Sequence, residues 1–115
     1  MSYIDGVVAA VPTVNKQAYL DHAKAAVTVF KRHGALSMVE CWGDDIPEGK
    51  INSLHTAVQR KDDETVVFSW IVWPSKTVRD EGWEKIMTDP DMVDNEMPFD
   101  GSRMIFGGFD VLLEA

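Results

Sequence analysis

A chain of 115 residues with 45% hydrophobic and 26% charged side chains is sized and composed as a single domain with a core of its own. A net charge of −8 argues against nucleic acid and anionic membranes as partners, because both are held by clustered Lys and Arg, and no apolar run approaches the roughly 18 residues that span a bilayer. The lone cysteine, Cys41, precludes an intramolecular disulfide and fits a reducing compartment, and the opening MSYIDG lacks the basic-then-apolar succession of a secretory leader, so the expected location is cytoplasmic.

The first strand is expected over Tyr3 to Val11, stopped by Pro12, with Asn15 placed to cap a helix. That first helix runs over Lys16 to His33: Tyr19, Ala23, Ala26, Val27 and Phe30 make one apolar stripe, basic residues fill the last turn, and Gly34 suits the C-terminal cap. The second strand covers Leu36 to Gly43 and leads into a polar loop, Asp44 to Lys50. Thr56 to Gln59 reads as a short extra strand, joined by the Lys61 to Glu64 turn to a third strand, Thr65 to Trp73. Pro74 ends that strand and Ser75 caps a second helix, Lys76 to Thr88, with Val78, Trp83, Ile86 and Met87 inward and Gly82 as a weak point. Asp91 to Glu96 suits one more helical turn and Met97 to Gly101 a turn. The last strand covers Arg103 to Leu113, with a bulge or close backbone approach at Gly107-Gly108.

Strand, helix, strand, strand, helix, strand is the order of a ferredoxin-like α+β sandwich (βαββαβ), with a four-stranded antiparallel sheet in order 4-1-3-2 and both helices on one face. The third strand then has a consequence. In VVFSWIVW, Val66 to Trp73, only Ser69 is polar, so both faces of the strand require cover. Two helices shelter one. A second copy of the chain, sheet against sheet, is the expected cover for the other; loops folding back from the Asp44 to Glu64 excursion are the competing one.

Parity places Glu40 and Trp42 on one face of the second strand and Trp70 on the same-parity face of the third, with Met38, Met104 and Phe106 beside them. If that face meets the partner, Glu40 becomes a carboxylate in an aromatic-lined space, with burial raising its pKa toward general acid or base use. The plainer reading makes it a carboxylate paired with a cation such as Arg103. Asp5 is the one acid within an apolar strand: it lines the same cavity, or it satisfies backbone or a hydroxyl at the strand start. His22, His33 and His55 lack metal-ligand spacing, and His33 suits the helix end. Cys41 reads as a buried small hydrophobe. No phosphate-binding glycine loop opens a helix, and no cofactor or metal is implied.

The segments HGALSMVECWGDDIPEGK (His33 to Lys50), VVFSWIVWPSK (Val66 to Lys76) and MPFDGSRMIFGGF (Met97 to Phe109) resemble the YbaA-like bacterial family of unknown function, over nearly the whole chain. The resemblance implies the dimeric α/β barrel superfamily, in which ferredoxin-like protomers pair through their sheets. It carries no activity and no catalytic residues. Two functions stay open: a homodimer holding a small apolar or aromatic ligand in a barrel cavity, or a cofactor-independent monooxygenase- or isomerase-like enzyme acting on a small aromatic substrate, the latter by fold analogy alone.

Overall fold

The computed structural model describes residues 2–115. Along the chain come β1 (Tyr3–Pro12), a 3₁₀ turn (Thr13–Asn15), α1 (Lys16–Arg32), β2 (Ser37–Trp42), α2 (Leu54–Ala57), β3 (Glu64–Trp73), α3 (Lys76–Ile86), α4 (Pro90–Val93), a second 3₁₀ turn (Gly101–Arg103) and β4 (Ile105–Asp110). The strands form one antiparallel sheet in the order β2-β3-β1-β4, which read from the opposite edge is β4-β1-β3-β2. The fold is α+β.

The helices form as their sequences dictate. On α1, Tyr19, Ala23, Ala26, Val29 and Phe30 are buried, Val29 taking the place expected for Val27. Gly34 comes next at φ +112°, the left-handed conformation that releases a helix at low cost to glycine. On α3, Ser75 accepts a hydrogen bond from the Val78 N–H as the N-cap. Met87, expected inward, is exposed. Gly82 is a packing position rather than a weak point: a Cβ there would lie 2.6 Å from the Trp73 ring and 2.7 Å from the His33 carbonyl oxygen. Asn15 does not cap α1 with its side chain; it donates to the Pro98 carbonyl and ties a distant loop to the start of the helix.

Register decides which residues share a face. Val8 lies opposite Phe68 on one side and Ile105 on the other, while Val39 lies opposite Trp70. One face therefore carries Tyr3, Asp5, Val67, Ser69, Ile71 and Trp73 together with Met38, Glu40 and Trp42. Against it pack α1 and α3, closing a core around Phe30, Ile71, Trp73 and Ile86 and a second around Ala9, Val11, Tyr19 and Val67. The opposite face carries Ile4, Gly6, Val8, Phe68, Trp70, Val39, Cys41, Ile105 and Phe109.

The 44–63 excursion covers part of that second face. The expected extra strand at Thr56 to Gln59 is instead the one-turn helix α2, because Ser53 and Thr56 exchange side-chain-to-backbone hydrogen bonds as a capping box. Val58 then packs under the excursion with Ala10 and Val66, and Val8 and Ile46 join them. β4 pairs without a bulge and ends at Asp110 rather than Leu113. Its glycines serve a close approach instead: a Cβ at Gly108 would fall on the Tyr3 hydroxyl.

Candidate functional site

Three groupings bear on function: a carboxylate–phenol pair under α1, a buried acid under α3, and an apolar trough on the open face.

Glu40 projects from edge strand β2 toward α1, where the Tyr19 hydroxyl donates to its Oε2 at 2.5 Å. Ser69 stands directly opposite in the ladder and adds a hydroxyl. Burial raises the Glu40 pKa above the usual carboxylate range, and the two hydroxyls offset part of that rise. Tyr19 is pushed up further, first by its own burial and then by the carboxylate it touches. Trp42 leans on Tyr19 with ring centroids 6.3 Å apart, Phe99 meets Tyr19 at 5.8 Å, and the Lys16 ammonium sits 5.5 Å from the Trp42 ring. This cluster can hold a proton between two oxygens. It lies on the helix side of the sheet.

Asp5, in the middle of the helix face, is 3% exposed. Its Oδ2 accepts from the indole N–H groups of Trp73 (2.9 Å) and Trp83 (2.8 Å), and its Oδ1 accepts from Arg79 Nη2 at 2.7 Å. Arg79 also rests on the Tyr3 ring, 5.3 Å from its centroid. The acid is thus satisfied by two indoles and a guanidinium, not by backbone or a hydroxyl, and it faces away from the trough. Arg103 does not meet Glu40. It forms a two-pronged pair with Glu64, at 2.7 and 2.6 Å, and bonds Asp100 at 3.0 Å. That pairing holds the Glu64 carboxyl down at about 2.

The expected trio of Glu40, Trp42 and Trp70 is therefore divided. Glu40 and Trp42 lie under α1, and Trp70 lies on the open face beside Phe68, edge to face at 5.8 Å. Even-numbered residues of β3 share their face with odd-numbered residues of β2 and, across β1, of β4, so parity within each strand misassigned the faces. For the same reason Ile105 and Phe109 share the Trp70 face and Met104 packs in the core beside Tyr19, while Phe106, of the other parity but exposed on the edge strand, still lines the trough with Trp70. Cys41 is exposed on that face instead of buried.

The trough holds about 820 Å³ between Ile4, Val8, Phe68, Trp70, Ile105 and Phe109 and continues past the exposed Asp110 carboxylate, the one charged side chain of its lining, to Leu112 and Leu113. Phe68 is 45% exposed, Phe109 60% and Leu112 95%. No charged side chain stands at an open-face position of the strands between Ile4 and Val8, Ser37 and Cys41, Phe68 and Val72, or Ile105 and Phe109. Sequence reasoning overlooked Tyr19, Ile105, Phe109 and the tail leucines as functional positions. The lone polar residue of VVFSWIVW, Ser69, was the available pointer to a polar partner across the ladder. Among the described residues, no group of three or more His, Cys, Asp and Glu side chains is placed to hold a metal ion, and no helix is long and apolar enough to cross a membrane.

The architecture defines an α+β protein with one helix-covered and one open apolar sheet face. Residues 2–101 match the family described as "Protein of unknown function (DUF1428)". The chain is 49% identical over 116 residues to "Uncharacterized protein YbaA" of Escherichia coli (strain K12), an alignment that covers 99% of each chain. Proteins of the same description from Escherichia coli O157:H7 and Shigella flexneri match it to the same extent. The chain belongs to the DUF1428 family, whose function is unknown.

Proposed function

We propose that the chain is a single-domain ferredoxin-like protomer that works as a cytoplasmic homodimer of the dimeric α/β barrel kind, with the open sheet faces opposed and a small apolar or aromatic ligand held between them. The observation that carries this is the apolar trough of about 820 Å³ lined by half-exposed aromatic rings, with Asp110 its one charged side chain. Strands about 4.8 Å apart and residues rising about 3.3 Å give a plane of roughly 500 Å² for two ten-residue and two six-residue strands. With side-chain relief and the flanking 44–63 excursion, the face approaches the roughly 800 Å² per partner of a stable interface. Opposing two troughs makes an apolar, aromatic-walled chamber with room for a small molecule, its charged groups limited to one Asp110 from each copy.

The enzyme alternative, with Glu40 acting in this chamber, loses its main support, since Glu40 and Asp5 both lie across the sheet from the trough. A binding role fits the groups that remain. Light scattering after size exclusion tests the assembly: twice the 12.9 kDa chain mass is expected, and Trp70→Asp is expected to halve it. A monomeric parent at micromolar concentration overturns the proposal. Native mass spectrometry of freshly purified dimer tests the ligand, with an added small-molecule mass expected on the dimer and bare dimer counting against the binding role.

A further inference from the structure

β4 ends at Asp110, but the chain continues as Val111-Leu112-Leu113-Glu114-Ala115. The Val111 N–H donates to the Ser2 carbonyl at 3.4 Å, a long and weak tie. Beyond it, Leu112 is 95% exposed and Leu113 82% exposed. A single exposed leucine is ordinary, but contiguous exposed apolar surface marks a site of contact. The two leucines are continuous with the trough, whose lining runs from Phe109 to Leu113 without a break. The chain's own fold leaves both side chains open, so its own sheet is not what covers them.

We infer that residues 111–115 form an arm that seats on a second copy of this chain, each arm closing one end of the chamber between the opposed sheets. The inference rests on the face-to-face reading proposed above and adds to it the element that seals and locks the pair. A second copy fits better than a foreign protein for two reasons. The surface the arm adjoins is apolar apart from Asp110, and a surface dominated by apolar groups matches itself under a two-fold axis without needing complementary charge. The arm also leaves from the same face that needs the cover, so one two-fold operation buries both arms and both sheets at once. A chain of net charge −8 facing its own copy requires a contact zone poor in charge, and across trough and arm Asp110 is the one charged side chain before Glu114.

The test is a full-length Leu112→Ser/Leu113→Ser variant measured beside the parent by sedimentation velocity over a dilution series. Four leucines leave the interface per dimer, and the dimer Kd is expected to rise by at least about 100-fold, with the melting temperature of the dilute single chain unchanged. Hydrogen exchange at residues 111–115, followed above and below the parent Kd, is expected to slow as dimer forms. A parent that dimerises while the variant keeps its Kd within about threefold overturns the arm and leaves the face-to-face reading standing. Tail protection that is independent of concentration also overturns it, because the arm would then lie on its own chain. A parent that stays monomeric at every concentration overturns the face-to-face reading itself, and the arm with it.

Discussion

Asp5→Asn probes the most tightly determined polar group in the helix-side core. The carboxylate accepts from two indoles at 2.9 and 2.8 Å and from Arg79 at 2.7 Å, while only 3% of the residue's surface reaches water. Asparagine keeps the shape but offers one acceptor oxygen, and it turns an NH₂ group toward donors that then have nothing to donate to. Each unsatisfied buried donor costs about 1–3 kcal/mol, and removing one member of a buried ion pair costs about 3–5 kcal/mol. The Arg79 side chain is 22% exposed and still meets Asp80, so part of its charge is recovered by solvent and neighbour. The lower end applies, about 3 kcal/mol. At about 0.05–0.15 kcal/mol per residue that is a fifth to a half of the total stability expected for a domain of this size. It corresponds to a melting point lower by roughly 10–15 °C.

Urea unfolding followed by tryptophan fluorescence at one fixed protein concentration reads the change as a lower midpoint at unchanged slope. A double-mutant cycle with Arg79→Met separates the ion pair from the indole bonds, and a coupling of about 1–3 kcal/mol is expected for groups in direct contact. A loss below about 1 kcal/mol for Asp5→Asn, or strict additivity with Arg79→Met, would show that the cluster is not what fixes α3 to the sheet.

Gly82→Ala is expected to destabilise by about 1–3 kcal/mol through overpacking against the Trp73 ring and the His33 carbonyl; helix propensity alone predicts a gain of about 1 kcal/mol, so the sign of the thermal shift decides between them. Acid unfolding should track the depressed carboxyls. Arg103 holds Glu64 at about 2, and hydrogen bonds from Ser102 and then Arg103 hold Asp100 at about 2, so their stabilisation is complete above the ordinary value near 4.5 and is lost as pH falls toward 2. Melting points recorded from about pH 6 to pH 2 should drop most steeply below about 4.5, and Arg103→Met should flatten that drop. Glu40 has the opposite sign: its pKa is raised by burial, so its contribution is full below the usual carboxylate value and declines as pH rises through the raised one. Glu40→Gln, which still accepts from Tyr19, is therefore expected to raise the melting point at about pH 7 and to leave it unchanged near pH 4. Added salt should tighten the dimer, since screening relieves repulsion between two chains of charge −8 and the trough lining, with Asp110 but no Lys, Arg or His, offers no cation for an ion pair across the seam; a dimer weakened by about 0.5 M NaCl would contradict an interface without ion pairs.

The element order was legible because local signals set it: the apolar stripe of α1, the Ser75 cap of α3, and the unbroken VVFSWIVW of β3. Faces were less legible, because alternation along a strand is a local signal while its phase against a neighbour is not. The Cα partners of β1 and β3 have matching parity, as in Val8 and Phe68, whereas those of β2 and β3, as in Val39 and Trp70, do not. Nothing within either strand announces that difference. Val58 was misread for a related reason. In a short polar stretch, the reciprocal Ser53–Thr56 bonds outweigh the β preference of Thr56 and Val58. Asp5 was legible as an anomaly but not in its solution, because its donors come from the distant Trp73, Arg79 and Trp83.

The division of polar from apolar groups is what favours a binding role over catalysis in the chamber. The carboxylates that project from the sheet onto the helix side are already engaged: the buried Asp5 by two indoles and Arg79, the half-buried Glu40 of edge strand β2 by Tyr19. The polar pair that does reach the open face, Glu64 with Arg103, sits at the end closed off by the 44–63 excursion and is locked in a two-pronged bond. A ligand in the trough would therefore meet aromatic rings, aliphatic groups and, at the end of β4, the Asp110 carboxylate. Such a lining selects by shape and hydrophobicity, and its one carboxylate, Asp110, is exposed at the end of β4. The carboxylate whose pKa burial drives upward, Glu40, stands on the other side of the sheet with Tyr19 donating to it, away from a ligand in the trough.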